Sequence, residues 1–233
     1  MEMQHPMATE PPGERAEATR FTSPANEPVC SLCGGTGWRR AGDADSVWYR
    51  RCECVKARII AARLQTIPAL FRGATFESYL ARNQKQEQAA TLMKSRPEGS
   101  WYLTGPYGSG KTHLLYAQYH EMAVAGRTRC HVRTTRELVE ELKKMEMGSG
   151  TVSPVMAAAR ECTPYHLFWD DMDKIKPTDF KTEVLFELVD TLYRQKHGLT
   201  ATANHSLQDL VRHERMHPAI VRRLDDMCRV IQI

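Results

Sequence analysis

No stretch of the 233 residues approaches eighteen consecutive apolar side chains, so none is long enough to cross a bilayer as a helix. The opening residues, MEMQHPMATEPPGERAEATR, lack the apolar core that a secretion signal needs. Charge of one sign is also scarce. Lys and Arg number 32 against 28 Asp and Glu, a net +4 that is spread along the chain. So small and dispersed an excess permits contact with nucleic acid without requiring it. Cysteine, by contrast, is plentiful at seven residues. Without an export signal, this usage points to the cytoplasm, where disulfides are rare. Paired cysteines there more often hold a metal or do redox chemistry.

Residues 1–28 are rich in Pro, Glu and Ala and poor in large apolar groups. Such a segment cannot bury enough surface to offset its ordering entropy, so a flexible tail is expected. Two close cysteine pairs follow, CSLCGGTGW at 30–38 and RCECVK at 51–56. A helical pattern then runs over VKARIIAARLQTI (55–67) and ends at Pro68. A connector, ALFRGATFESYL, carries Phe71, Phe76 and Tyr79 as anchors. From Asn83 onward, strand and helix patterns alternate. Strands are expected at SWYLTG, RCHVRT, YHLFWDD, LTATAN and CRVIQI. Helices are expected at NQKQEQAATLMKS, THLLYAQYHEMAVAG, TRELVEELKKMEM and KTEVLFELVDTLYRQK, with short ones at SLQDLV and PAIVRRL. Such alternation predicts an α/β domain, a parallel sheet with helices on both faces.

Between the first of these strands and its helix lies GPYGSGKT (105–112), a full match to G-x-x-x-x-G-K-[ST]. Gly105, Gly108 and Gly110 allow the backbone to curl so that its N–H groups point inward at phosphate oxygens. The helix N-terminus adds its positive dipole end. Lys111 is expected on the β- and γ-phosphates of ATP, and the Thr112 hydroxyl on Mg²⁺. Pro106, Tyr107, Ser109 and His113 complete the expected nucleotide-binding stretch. About sixty residues on, the apolar run HLFW ends in Asp170-Asp171. Asp170 is expected to hold Mg²⁺ through water and Asp171 to orient or deprotonate the attacking water. Bulky Leu167, Phe168 and Trp169 read as core.

These motifs, with LTATANHS and AIVRRLDDMCRVIQI, resemble the AAA+ ATPases of the DnaC/DnaI helicase-loader family, which includes the transposition helper IstB. The resemblance runs over roughly residues 28–233, since CSLCGGTGW, RCECVK, the basic helix, the Ile-Pro turn and the aromatic connector also occur in that order in many loaders. It implies an AAA+ P-loop fold and ATP hydrolysis at a low intrinsic rate, stimulated by single-stranded DNA or assembly. Asn204 would be a γ-phosphate sensor, and Arg223 an arginine finger donated to a neighbour's ATP. Arg222 is adjacent and can take that role instead. The simpler alternatives are that Asn204 caps the next helix and that Arg223 snorkels over the surface. There are departures from the family pattern. Leu192 stands before Tyr193 where an Arg is common, and MDK follows Asp171 where a Gly is common. The sequence is expected to carry no lid domain after the last strand, which would make nucleotide affinity depend on neighbouring subunits. The division implied is a tail at 1–28, a four-cysteine zinc-binding module at 29–56, a linker helix and connector at 57–82 and the AAA+ domain at 83–233.

Cys30, Cys33, Cys52 and Cys54 suit a tetrahedral Zn²⁺, with glycines after the first pair for the knuckle turn. Iron–sulfur ligation is the alternative. Some thirty residues cannot bury a core of their own, so metal binding would supply the module's folding energy. By the resemblance, this module docks the hexameric replicative helicase while the ATPase domain acts on single-stranded DNA. The partners implied are that helicase, single-stranded DNA and further copies of the chain drawn together by ATP, with no membrane. Cys130, Cys162 and Cys228 read as core residues. Arg133, Arg136, Lys143 and Lys144 can track phosphates, although Glu137, Glu140 and Glu141 dilute them. Two other readings stay open: a transposition helper, and a nucleic-acid-binding adaptor whose ATP site only holds structure.

Overall fold

A computed structural model describes residues 29–42, 46–126, 129–146, 153–161, 163–174 and 177–233. The expected tail and Cys162 lie outside the described residues. The chain forms two compact units that divide between Ala62 and Arg63.

The first unit contains a hairpin that the sequence reading did not foresee. Strands β1 (Trp38–Ala41) and β2 (Trp48–Arg51) pair antiparallel, with Trp38 opposite Arg51 and Arg40 opposite Tyr49. Helix α1 (Glu53–Gln65) begins at the second cysteine pair.

The second unit is built on five parallel strands: β3 (Trp101–Thr104), β4 (Arg129–Thr134), β5 (Tyr165–Asp170), β6 (Gly198–Ala203) and β7 (Arg229–Gln232). Their order across the sheet is β4-β5-β6-β3-β7. Side chains alternate across the pleat, so β3 and β5 feed cores on both faces. On one face Tyr102, Leu167, Trp169, Leu199 and Ala201 pack against five helices. These are α4 (Thr135–Glu146), α5 (Pro154–Arg160), α6 (Asp179–Arg194), α7 (Leu207–Arg212) and α8 (Pro218–Met227). On the other face Trp101, Leu103 and Phe168 meet α2 (Gln84–Ser95) and α3 (Lys111–Ala125). Ile67 and Ala74 are buried with α3, and Phe76 with α2, so the connector belongs to the core of this unit.

Helix ends follow local chemistry. Asn83, Ser153, Thr178 and Ser206 each accept a backbone N–H of the first turn, each cap contributing about 1 kcal/mol. Gly126 ends α3 with φ +66, a left-handed turn that glycine adopts without steric cost. Cys130 and Cys228 are buried, as expected of core thiols. Burial pushes the Cys228 thiol up to about 12. Leu192, where loaders commonly carry Arg, is fully buried in the core.

Candidate nucleotide site and cysteine cluster

The P-loop closes the C-terminal end of β3. Gly105 has φ +154, and a Cβ there would sit 1.9 Å from the Ile233 carbonyl oxygen, so only glycine lets β7 run alongside. At Gly110 a Cβ would lie 2.7 Å from the Tyr79 ring. Connector and loop are tied at this point. The Tyr79 hydroxyl and the Gln86 amide donate to the Ser109 carbonyl at 3.3 and 3.1 Å. His113 Nε2 sits 3.0 Å from the Thr75 carbonyl. A cavity of about 220 Å³ lies here, lined by Tyr79, Arg82, Gln86, Gly108, Ser109 and His113 among others.

Lys111 is buried, and its ammonium donates to the carbonyls of Gly105 and Pro106 (both 2.8 Å) and to Asn204 Oδ1 at 3.2 Å. Burial pulls its pKa down, while Asp171, Asp173 and Asp170 pull it back up. The Thr112 hydroxyl donates to Asp170 Oδ1 at 3.1 Å, and Thr202 donates to the same oxygen at 2.6 Å. Burial raises the Asp170 pKa, against the lowering effect of these hydroxyls. A hydroxyl and a buried carboxylate side by side are oxygen donors of the kind that Mg²⁺ takes.

Asp171 lies just past the strand with φ +54, an uncommon conformation for a residue other than glycine. Its surroundings enforce that backbone. Its N–H donates to Thr202 Oγ1 at 2.9 Å, and its carbonyl accepts from Thr135 Oγ1 at 2.9 Å. Its carboxylate pairs with Lys174 at 2.7 Å. The structure thus gathers Lys111, Thr112, Asp170, Asp171 and Asn204 at the ends of β3, β5 and β6. Ser206, not Asn204, caps the following helix. Arg223 is not part of this gathering. Its guanidinium bonds Asp190 at 2.6 Å, donates to the Ala219 carbonyl and stacks 4.5 Å over Phe186. The group is thus held within its own chain and does not snorkel freely. Arg222 is exposed.

Sequence reasoning missed Thr202 and Asp173. Asp173 is buried; its Oδ2 accepts the Asn204 N–H at 2.9 Å and contacts His205 Nδ1, while its Oδ1 has no partner. It belongs to the MDK segment that departs from the loader pattern, and that departure was the available signal.

In the first unit, the sulfurs of Cys30, Cys33, Cys52 and Cys54 all lie within 4.8 Å of one another. Cys30–Cys52 is 3.9 Å and Cys33–Cys54 is 3.6 Å. A tetrahedron with metal–sulfur bonds of about 2.3 Å has edges of about 3.8 Å, so the cluster fits zinc. Both separations are far beyond a disulfide bond of about 2.05 Å. Gly34, Gly35 and Gly37 have φ of +56, +84 and +77 and make the knuckle, where the Gly34 N–H donates to the Cys30 carbonyl at 2.8 Å. Burial and the neighbouring sulfurs push Cys54 up to about 12. Cys33 is lowered to about 6: burial opposes ionisation, but the N–H groups of Gly37 and Gly35 and the adjacent thiols outweigh it. Four thiolates at this spacing repel one another, and a cation at the centre removes the conflict.

This five-stranded order, with a P-loop after β3 and paired acids after β5, defines an AAA+ P-loop ATPase domain. The AFG1-like ATPase family model matches residues 60–233, and the chain belongs to that family. The four-cysteine cluster lies outside the matched residues. No curated protein sequence matches the chain. Among solved structures, the fold is similar to that of the DnaC helicase loader, with TM-score 0.61 and 21% identity over 71% of this chain and 99% of that one. DnaI is similar at TM-score 0.59 and 21% identity, over 72% and 95%. AMPPCP-bound DnaA from Aquifex aeolicus is similar at 0.58 and 19%, over 69% and 50%. An ATPase of this class uses nucleotide and Mg²⁺. Among the described residues, no helix is long and apolar enough to cross a membrane.

Proposed function

We propose that this protein is a cytoplasmic ATP-switched assembly factor that binds the hexameric replicative helicase and helps place it on single-stranded DNA. One observation carries the switch: the Lys111 ammonium and Asn204 Oδ1 are 3.2 Å apart, although one opens α3 and the other follows β6. A γ-phosphate entering between them separates this pair and engages both groups. Asn204 is fastened through Asp173 to the segment that follows β5. Its response to phosphate therefore passes to the Asp171 turn. In this reading Thr112 and Asp170 hold Mg²⁺, Asp171 orients water, and Gly105 through His113 cradle the phosphates. Lys111 neutralises their charge. The arginine finger is Arg222, because Arg223 is engaged within its own chain. The likeness of fold to the loaders, together with a preceding four-cysteine module, supports the helicase as client. In that role the module docks the helicase.

The test is hydrolysis by the full chain with single-stranded DNA and helicase added separately and together. Stimulation by both is expected, with nucleotide binding lost in Lys111→Ala. Wild-type turnover in Lys111→Ala overturns the site assignment. Failure of the zinc-loaded chain to capture any hexameric helicase, with ATPase intact, overturns the client.

A further inference from the structure

Antiparallel pairing puts directly opposed residues on one face of a hairpin. The register therefore sorts eight residues of β1 and β2 into two sets. Trp38, Arg40, Tyr49 and Arg51 share one face, and all four are exposed. Arg39, Ala41, Trp48 and Arg50 share the other, where Arg39 and Ala41 are half-buried. The first face is a checkerboard: each aromatic lies opposite an arginine and diagonal to the other aromatic. Trp38 is 48% exposed and Tyr49 49%. The Arg51 guanidinium sits 5.9 Å from the centre of the Trp38 ring.

We infer that this face binds single-stranded nucleic acid. Trp48 on the other face is as exposed, at 50%, but the first face alone alternates two aromatics with two arginines, and that pattern selects what covers it. Neither strand carries a carboxylate, and both carry two arginines. The nearest acids in sequence are Asp43 and Asp45, outside the described residues, and Glu53 after β2. Two of the four arginines, Arg40 and Arg51, lie on the aromatic face itself. Phosphates satisfy the guanidiniums, and bases satisfy the ring faces. Diagonal side chains across a strand pair are roughly 7–8 Å apart, which spaces two rings for two bases with a phosphate between them. Short sheets with exposed aromatics bind splayed single strands in this way. Duplex DNA does not present its base faces. The inference deepens the loader reading but does not depend on ATP: it assigns DNA contact to the hairpin beside the cysteines.

The experiment is equilibrium binding of a fluorescein-labelled oligothymidylate to the zinc-loaded full chain without nucleotide, by anisotropy. Trp38→Ala/Tyr49→Ala should weaken binding about tenfold or more, and Trp38→Phe/Tyr49→Phe should restore most of it. Trp48→Ala, on the opposite face, should bind as wild type. Arg40→Gln/Arg51→Gln should flatten the dependence of affinity on salt, since two phosphate contacts are gone. Zinc content per chain and basal hydrolysis report folding. If the alanine pair loses zinc, the glutamine pair, whose rings are untouched, decides instead. Wild-type binding by a zinc-loaded alanine or glutamine pair overturns the inference. So does an equal loss in Trp48→Ala, or loss of helicase capture with DNA binding unchanged. Failed helicase capture with the hairpin effects intact removes the loader reading and leaves this one standing.

Discussion

Two neighbouring arginines in the middle of α8 competed in the sequence for one role, and their surroundings separate them. Arg223 is 23% exposed and Asp190 13% exposed, with a nitrogen–oxygen distance of 2.6 Å. Losing a hydrogen-bonded charged group of this kind costs about 1.5–3 kcal/mol. Losing the cation from the Phe186 face costs about 0.5–1 kcal/mol more. Arg194 also holds Asp190, at 2.8 Å, so Arg223→Ala does not leave that carboxylate alone. That rescue brings the expected net cost to about 2 kcal/mol, well below the ~3–5 kcal/mol of a fully buried pair broken on one side. With a urea dependence of about 2 kcal/mol per molar, the unfolding midpoint should fall by about 1 M. Arg222 is exposed, so Arg222→Ala should change stability by less than about 0.5 kcal/mol. If Arg222 is the finger, hydrolysis in that variant should fall about 10³–10⁵-fold with ATP binding retained. Mixing it with Lys111→Ala should restore part of the activity, because one chain then offers an intact site and the other an intact finger. The decisive measurements are urea unfolding by tryptophan fluorescence and steady-state hydrolysis on the same preparations. If Arg223→Ala unfolds at the wild-type midpoint yet loses hydrolysis, while Arg222→Ala turns over normally, the reasoning fails.

Two further predictions concern protons and metal. His166 is fully buried, and burial lowers its pKa to about 3. Thr200 sits 2.9 Å from its Nε2 and donates its own hydroxyl hydrogen to Gln118, so Thr200 accepts from Nε2–H, and burial keeps the ring neutral. The unfolded chain titrates near 6.5. Between that value and about 3 it binds a proton that the folded chain refuses, so stability is complete above pH 6.5 and falls as pH drops. At pH 5 the loss from this residue should be about 2 kcal/mol. Urea midpoints measured against pH should show the slope in wild type and less of it in His166→Gln; identical slopes would refute the assignment. Elemental analysis should find about one zinc per chain. Chelation should abolish the ordered structure of residues 29–56 while leaving ATP binding largely intact. Iron, or no metal, would overturn the zinc reading.

The sequence revealed those features whose signal is local. The P-loop is a contiguous string, and the strands around it are apolar runs flanked by helical periodicity. The β1–β2 hairpin gave no such signal, because WRRA and WYRR lack the alternation of apolar and polar residues that marks a half-buried strand. Helix α5 was missed for a related reason. PVMAAAR is seven residues long, and its apolar positions run consecutively instead of following a helical stripe. Its Ser153 cap and Pro154 at the first turn were the usable signals. The four-cysteine cluster was legible from spacing, since two close pairs with glycines leave few geometries.

The site was legible only in part, because its connections depend on the order of strands in the sheet. Lys111 and Asn204 lie 93 residues apart. They meet because β6, not β5, is the neighbour of β3. The same placement puts Thr202 of β6 against Asp170 of β5 and against the Asp171 N–H. One threonine hydroxyl thus joins the carboxylate that suits a metal to the turn that carries the next acid. Nothing in TATAN announces this, since a buried Thr in a parallel strand reads as ordinary strand composition. Arg223 illustrates the converse. Its position beside the last strand resembled a finger, but Asp190 lies 33 residues earlier, on α6. Only the packing of α8 on α6 reveals that the charge is already paired. A motif names the residue types that a chemistry requires. Whether each group is free to perform it depends on what the fold packs beside it, and Arg222 and Arg223 differ in that respect alone.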